Sequence, residues 1–213
     1  MKKFALITLS LLIASASMAQ SAKSLIADYV KKVNEAKSLS VSYTVQRLGG
    51  LPKHYTLLFS KPDRIRLETP TGVIAADGSY ITAYEKSDKS YFRVAETQRG
   101  LLEILRPGEF YLWRAFFDPK AFGRMPEATF AGHKTHKGMD LTVVKGTVDM
   151  SNDHFVTFYF DSSGLPRQAE IVLQVEGIDT LIDTDSFELG LQPFSIDKFV
   201  FTPPVGSHPR KSF

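Results

Sequence analysis

The sequence predicts a mainly β (α+β) domain, in which a strongly curved antiparallel sheet forms an unclosed barrel with helices covering the open side. Three observations carry this. Between Tyr55 and Val94 five short extended segments follow one another with only a turn between each. After Pro126 five more such runs follow, and the stretch from Thr97 to Phe122 between the two sets is apolar at helical spacing. A meander of this length curls because strands twist, and the apolar faces of the helices need the sheet as a partner.

The elements are justified in order. Lys2 and Lys3 precede an apolar run from Phe4 to Ala14, and Ser17-Met18-Ala19 supplies small residues at the expected cleavage positions. This pattern predicts a Sec-type signal peptide over 1–19, removed before Gln20, and a single domain over 20–213. The run is shorter than the roughly 20 residues of a membrane span, and no later stretch is a second candidate. From Ala22 to Ala36, Leu25, Ile26, Tyr29, Val30 and Val33 recur at helical spacing among charged residues. The spacing predicts an amphipathic helix lying on the sheet, a membrane-surface helix being the alternative.

Val41 to Leu48 alternates Val41, Tyr43 and Val45 with polar residues, and Gly49-Gly50 turns it back. Tyr55, Leu57 and Phe59 alternate with Thr56, Leu58 and Ser60, while Ile65 and Leu67 alternate with Arg64, Arg66 and Glu68. Lys61-Pro62-Asp63 turns the first of these strands into the second, and Pro70-Thr71-Gly72 ends the second. Val73 to Ala76 and Tyr80 to Tyr84 form a hairpin around Asp77-Gly78. Ser90 to Val94 follows a polar turn over Glu85 to Lys89. In the middle, Leu101, Leu102, Ile104 and Leu105 precede Pro107-Gly108, and Phe110 to Phe117 carries Trp113, Phe116 and Phe117. Two short helices interrupted at Arg106-Pro107 fit this pattern. They either pack as plain core or line a ligand cavity. The later strands are expected over Ala128–Gly132, Met139–Val148, Phe155–Asp161, Gln168–Val175 and Thr180–Leu189, about ten strands in all. Phe155 to Phe160 is aromatic on both faces and is expected to be central and covered on each side.

Composition narrows the function classes. Without Lys2 and Lys3 the 26 basic residues become 24 against 23 acidic, so the sequence pI of about 9.0 does not suggest nucleic acid. Cysteine is absent, which removes disulfides, thiolate metal sites and a lipid-bearing cysteine after the signal. The expectation is a soluble monomer that does not span a membrane. Among the histidines only His133 and His136 are close, in GHKTHKG, which reads as a polar turn; no metal and no cofactor are expected. Asp179, Asp183 and Asp185 look like a carboxylate cluster, in which Asp183 and Asp185 share one face of a strand and read as a solvated edge, with a glycosidase-type acid pair as the alternative. G-x-S-x-G, phosphate-cradling loops and dinucleotide fingerprints are missing, so an enzyme is not expected.

Three stretches carry a resemblance. Phe59 to Leu67 (FSKPDRIRL) resembles a strand, K-R-P turn and strand; Ala76 to Tyr84 (ADGSYITAY) resembles S-D-G-K-x-L-W-x-Y; Phe199 to Gly206 (FVFTPPVG) resembles a terminal F-x-F-x-P-P-x-G. These belong to the periplasmic lipoprotein carriers (LolA), whose superfamily also holds the receptor LolB, the envelope-stress regulator RseB and mycobacterial glycolipid carriers. The likeness covers nearly all of the chain after the signal. It implies a periplasmic, non-enzymatic carrier whose apolar cavity shelters the acyl chain of a lipid or acylated lipoprotein, since each methylene exposed to water costs about 0.8 kcal/mol. The cavity positions are then Tyr55, Leu57, Phe59, Ile65, Leu67, Leu101, Leu105, Trp113, Phe116 and Phe117. The carriers place a lid-fastening Arg before the turn proline; here that position is Lys61, a single ammonium without the planar fork. The middle segment is longer and more aromatic than a carrier's, which points to an exported relative other than the carrier itself. The alternative is an RseB-like regulatory or structural module that binds an envelope protein.

Overall fold

The structure is a computed structural model and describes residues 22–104, 108–116, 128–147, 154–173 and 178–211. A helix over 22–35 (α1) is followed by strands β1 (Ser38–Arg47), β2 (Lys53–Ser60), β3 (Arg64–Glu68), β4 (Gly72–Ala76), β5 (Tyr80–Glu85) and β6 (Ser90–Ala95). Helix α2 (Gln98–Ile104) and a 3-10 helix (Gly108–Phe116) lead to β7 (Ala128–His136), β8 (Met139–Thr147), β9 (His154–Phe160), β10 (Pro166–Leu173) and β11 (Ile178–Gly190). A short 3-10 helix (Ile196–Lys198) and β12 (His208–Pro209) end the chain.

All the strands join one 12-stranded sheet in the order β12-β6-β5-β4-β3-β2-β1-β11-β10-β9-β8-β7, with β12 and β7 as its two edges. It is therefore mainly β and open. Two antiparallel meanders meet where β1 pairs with β11 from Ser38↔Gly190 to Arg47↔Thr180. Period-two patterning explains which face is inside. Leu39, Val41, Tyr43 and Val45 on β1, Tyr55, Leu57 and Phe59 on β2, and Ile65 and Leu67 on β3 are buried in one cluster with Ile26, Tyr29 and Val33 of α1. Gly72 is required at the start of β4, where a Cβ would collide with the carbonyl oxygen of Tyr84. The Asp77-Gly78 turn forms as its sequence predicts: Asp77 Oδ1 accepts from the amides of Ser79 and Tyr80, both at 2.9 Å, and Gly78 takes φ 93°.

Three expectations need correction. The stretch GHKTHKG is strand as far as His136, and only Lys137-Gly138 turns, with φ of 49° and 76°; its polarity reflects an exposed edge strand. Asp183 and Asp185 are not on an edge, because β11 lies between β1 and β10. Asp185 is the extra residue of a β-bulge facing Ser42 and Tyr43, which returns Phe187 to the core. The sheet has 12 strands rather than about ten, β12 pairing parallel to β6 through His208↔Ser90. A residue pair so short carries no periodicity to read.

The β7 to β11 half curls tightly. His136 on β7 reaches Asp183 on β11 at 2.9 Å, although β8, β9 and β10 lie between them. Four flat spacings would set those strands about 19 Å apart, so the half folds back over its outer face. Leu141, Val143 and Tyr159, with Met139, form a second small core there, while Phe158 and Phe160 point into the main one. β9 is thus packed on both faces over Phe158 to Phe160, as its aromatic content predicts, although Phe155 at its start is exposed.

Candidate functional site

The inner face of the sheet gathers the predicted cavity residues. Tyr55, Leu57, Phe59, Ile65 and Leu67 reach it from β2 and β3, Leu101 from α2, and Trp113 and Phe116 from the 3-10 helix; all are buried in the main core. Leu105 and Phe117 lie outside the described residues. The rings interlock: Phe59 meets Phe116 edge-on at 4.3 Å between centroids, Tyr55 meets Phe110 at 6.2 Å, and Trp113 lies 5.3 Å from Tyr43 and 5.0 Å from Phe187. The 3-10 helix packs its rings into this interior. Tyr29, Tyr43, Phe110, Leu112 and Phe187 belong to the same interior but were not singled out from the sequence as site residues. The inward alternation on β1 and the helical stripe were the signals that pointed to Tyr43 and Tyr29.

Two polar contacts tie the helices to this interior. Tyr29 of α1 donates its hydroxyl proton to the Leu112 carbonyl at 2.7 Å, and burial pushes the phenol far above its ordinary pKa. Lys61, in the β2–β3 turn, donates from Nζ to the carbonyls of Val33 at 3.0 Å and Asn34 at 2.7 Å. These carbonyls lie in the last turn of α1, where acceptors lack helical partners and the macrodipole is negative. The same ammonium stands 4.6 Å from the centroid of Phe116, a cation–π contact. Burial, and then repulsion from Lys37, lowers its pKa. One side chain thus touches α1, the β2–β3 turn and the 3-10 helix.

The outer face carries a separate polar chain. Asp183 and Asp185 hold the Lys137 ammonium at 2.9 and 3.0 Å, and their hydrogen bonds raise its pKa. His54 bridges Ser42 Oγ, 3.1 Å from Nε2, and Asp185, 3.6 Å from Nδ1. Serine, histidine and carboxylate follow one another as in a nucleophilic relay. The last distance is beyond a hydrogen bond, however, and the His54 and Asp185 side chains are 59% and 42% exposed on the outside of a sheet. The geometry reads as a solvated ion-pair chain that pins the curled half. His133 lies 3.8 Å from Asp140. Among the described residues no group of His, Asp or Glu could hold a metal ion, and no helix is long and apolar enough to cross a membrane.

No protein-family model matches the sequence, and no curated protein matches it. Solved structures match by fold. MucB, seen also in a complex with MucA from Pseudomonas aeruginosa, gives a TM-score of 0.51 at 15% identity, over 83% of this chain and 62% of that one. LprF from Mycobacterium bovis gives 0.53 at 12%, over 83% and 96%. The Mycobacterium tuberculosis lipoprotein LppX gives 0.52 at 13%, over 84% and 99%. The chain spans about three fifths of the length of the MucB structures it matches. Identities this low speak to fold alone, and on that level the resemblance carried by FSKPDRIRL, ADGSYITAY and FVFTPPVG is met: the chain has the LolA/LolB/RseB-like fold.

Proposed function

We propose that this chain is an exported, non-enzymatic carrier or binding protein that shelters the acyl chain of a lipid or acylated molecule inside the half-barrel. In this reading α1, α2 and the 3-10 helix are the lid across the open side, and Lys61 fastens it. The observation that carries the reading is the way the interior is filled. Three of its rings, Phe110, Trp113 and Phe116, come from a nine-residue 3-10 helix, a conformation with poor hydrogen-bond geometry that seldom runs beyond 3–4 residues. Such a segment shifts at modest cost, so it can move to admit an acyl chain that offers its rings equal apolar contact.

Titration with a fluorescent acyl probe tests this directly. Saturable uptake, displaced by unlabelled lipid and accompanied by a change in amide exchange at residues 108–116, is expected; absence of uptake defeats the reading. Export is tested by intact mass, with cleavage before Gln20 and a periplasmic product expected. A second reading is an RseB-like module that binds an envelope protein, with the interior as core. It is favoured by the MucA/MucB complex among the fold neighbours, and a bound polypeptide in place of lipid would select it.

A further inference from the structure

Among the described residues, two buried polar groups of the interior near Tyr43 are left without partners. Trp113 is 1% exposed, yet its Nε1–H has no hydrogen-bond partner among the described residues. Thr184, on β11 directly opposite Tyr43, is 2% exposed and its Oγ1 is likewise without a partner. Tyr43 links the two, its ring lying 5.3 Å from the indole. The preceding residue of the 3-10 helix shows the contrast, since the Leu112 carbonyl is paired with the Tyr29 hydroxyl. Buried polar groups in folded proteins are overwhelmingly paired, and leaving one unmet is destabilising. The same helix already uses phenylalanine at 110 and 116, side chains that fill apolar space without that cost.

We propose that Trp113 and Thr184 form a polar subsite within the acyl compartment, at which the indole N–H donates to the carbonyl oxygen of a neutral acyl ester or amide. The assignment rests on the reading of the interior as an acyl compartment and adds which end of the ligand lies where. Indole nitrogen donates and cannot accept, so its partner brings a lone pair. The partner is uncharged, because the surroundings are the rings of Tyr43 and Phe187 and a carboxylate there would be buried without a counter-ion. The Lys61 ammonium, which lies 4.6 Å from the Phe116 ring, is engaged with the Val33 and Asn34 carbonyls. A carbonyl at the root of an acyl chain meets both conditions, and the hydroxyl of Thr184, the register partner of Tyr43, would supply the second donor.

The chain contains one tryptophan, so one indole N–H resonance reports on the subsite in unmodified protein. Decanoyl glycerol, decanoate and decane, titrated in parallel, separate the alternatives. The ester is expected to move that resonance downfield and slow its exchange with solvent, while decane binds without that signature. In Trp113→Phe the ester is expected to lose about tenfold in affinity, with decane unchanged; Thr184→Val loses less. Should Trp113→Phe fail to fold, the comparison of ester with decane in the unmodified protein still decides. Ester binding that leaves the indole resonance in place means a buried water or plain core and overturns the subsite alone. Decanoate binding tighter than the ester overturns the neutrality argument and with it the subsite. If none of the three binds, the acyl-compartment reading fails first and the subsite falls with it.

Discussion

Lys61→Leu is the most informative perturbation of the lid. It deletes two charge-assisted hydrogen bonds to α1, at 3.0 and 2.7 Å, and a cation 4.6 Å above Phe116, while keeping an apolar stem in the turn. Hydrogen bonds to charged groups contribute about 1.5–3 kcal/mol when sheltered, and an exposed cation–π contact contributes about 0.5–1 kcal/mol. The ammonium is only part-buried, so solvent takes up much of this once the bonds break. A net closing contribution of about 1–2 kcal/mol remains, or a factor of about 5–30 in the ratio of closed to open protein. Stopped-flow uptake of an acyl probe by Lys61→Leu is expected to speed up by that factor, with faster exchange of the amides at the end of α1 and retention of bound ligand, because the polar fastening no longer competes with it. Lys61→Arg keeps the charge and adds a planar fork, so the empty protein is expected to be more stable and uptake slower. Equal uptake and release rates in all three forms would refute the fastening and leave Lys61 as a helix cap.

Three further outcomes follow from single contacts. Tyr29→Phe removes the buried hydrogen bond to the Leu112 carbonyl and is expected to cost about 0.5–1.5 kcal/mol in urea unfolding, whereas a smaller loss would mean that α1 and the 3-10 helix are not coupled there. Burial pulls the Asp161 carboxyl up, but Ser163, the Leu165 amide and Arg167 outweigh it and hold the pKa below the ordinary 3.8; its stabilisation is therefore complete above that value and lost as pH falls through the lowered one, so Asp161→Asn should flatten the acid limb of a stability-versus-pH curve, and an unchanged limb would contradict this. Gly72→Ala places a methyl against the Tyr84 carbonyl oxygen and should lower the melting temperature by several degrees, a neutral result showing that the β4–β5 pairing yields freely.

The strands were legible because a half-buried sheet writes its period into the chain: Tyr55, Leu57 and Phe59 were placed inside from alternation alone. The aromatic segment containing Trp113 and Phe116 was legible as helical and internal for the same reason. What escaped were relations between distant residues. Nothing near Asp183 announces that β11 pairs with β1, which leads the chain, or that Lys137 lies between Asp183 and Asp185. Polar alternation in GHKTHKG looked like a turn because an edge strand exposed on both faces shows no apolar period. Lys61 could be marked from its place before Pro62, but its acceptors are backbone carbonyls, which every residue carries and no sequence displays.

The central claim, that the interior accepts an acyl chain, is tested most directly by native mass spectrometry of the protein gently purified from its own host. The account predicts a mass excess that fragments to a lipid or acylated molecule and shrinks when an unlabelled acyl ester is supplied. A protein of bare polypeptide mass, or one that carries only another polypeptide, would contradict it and make the interior a core.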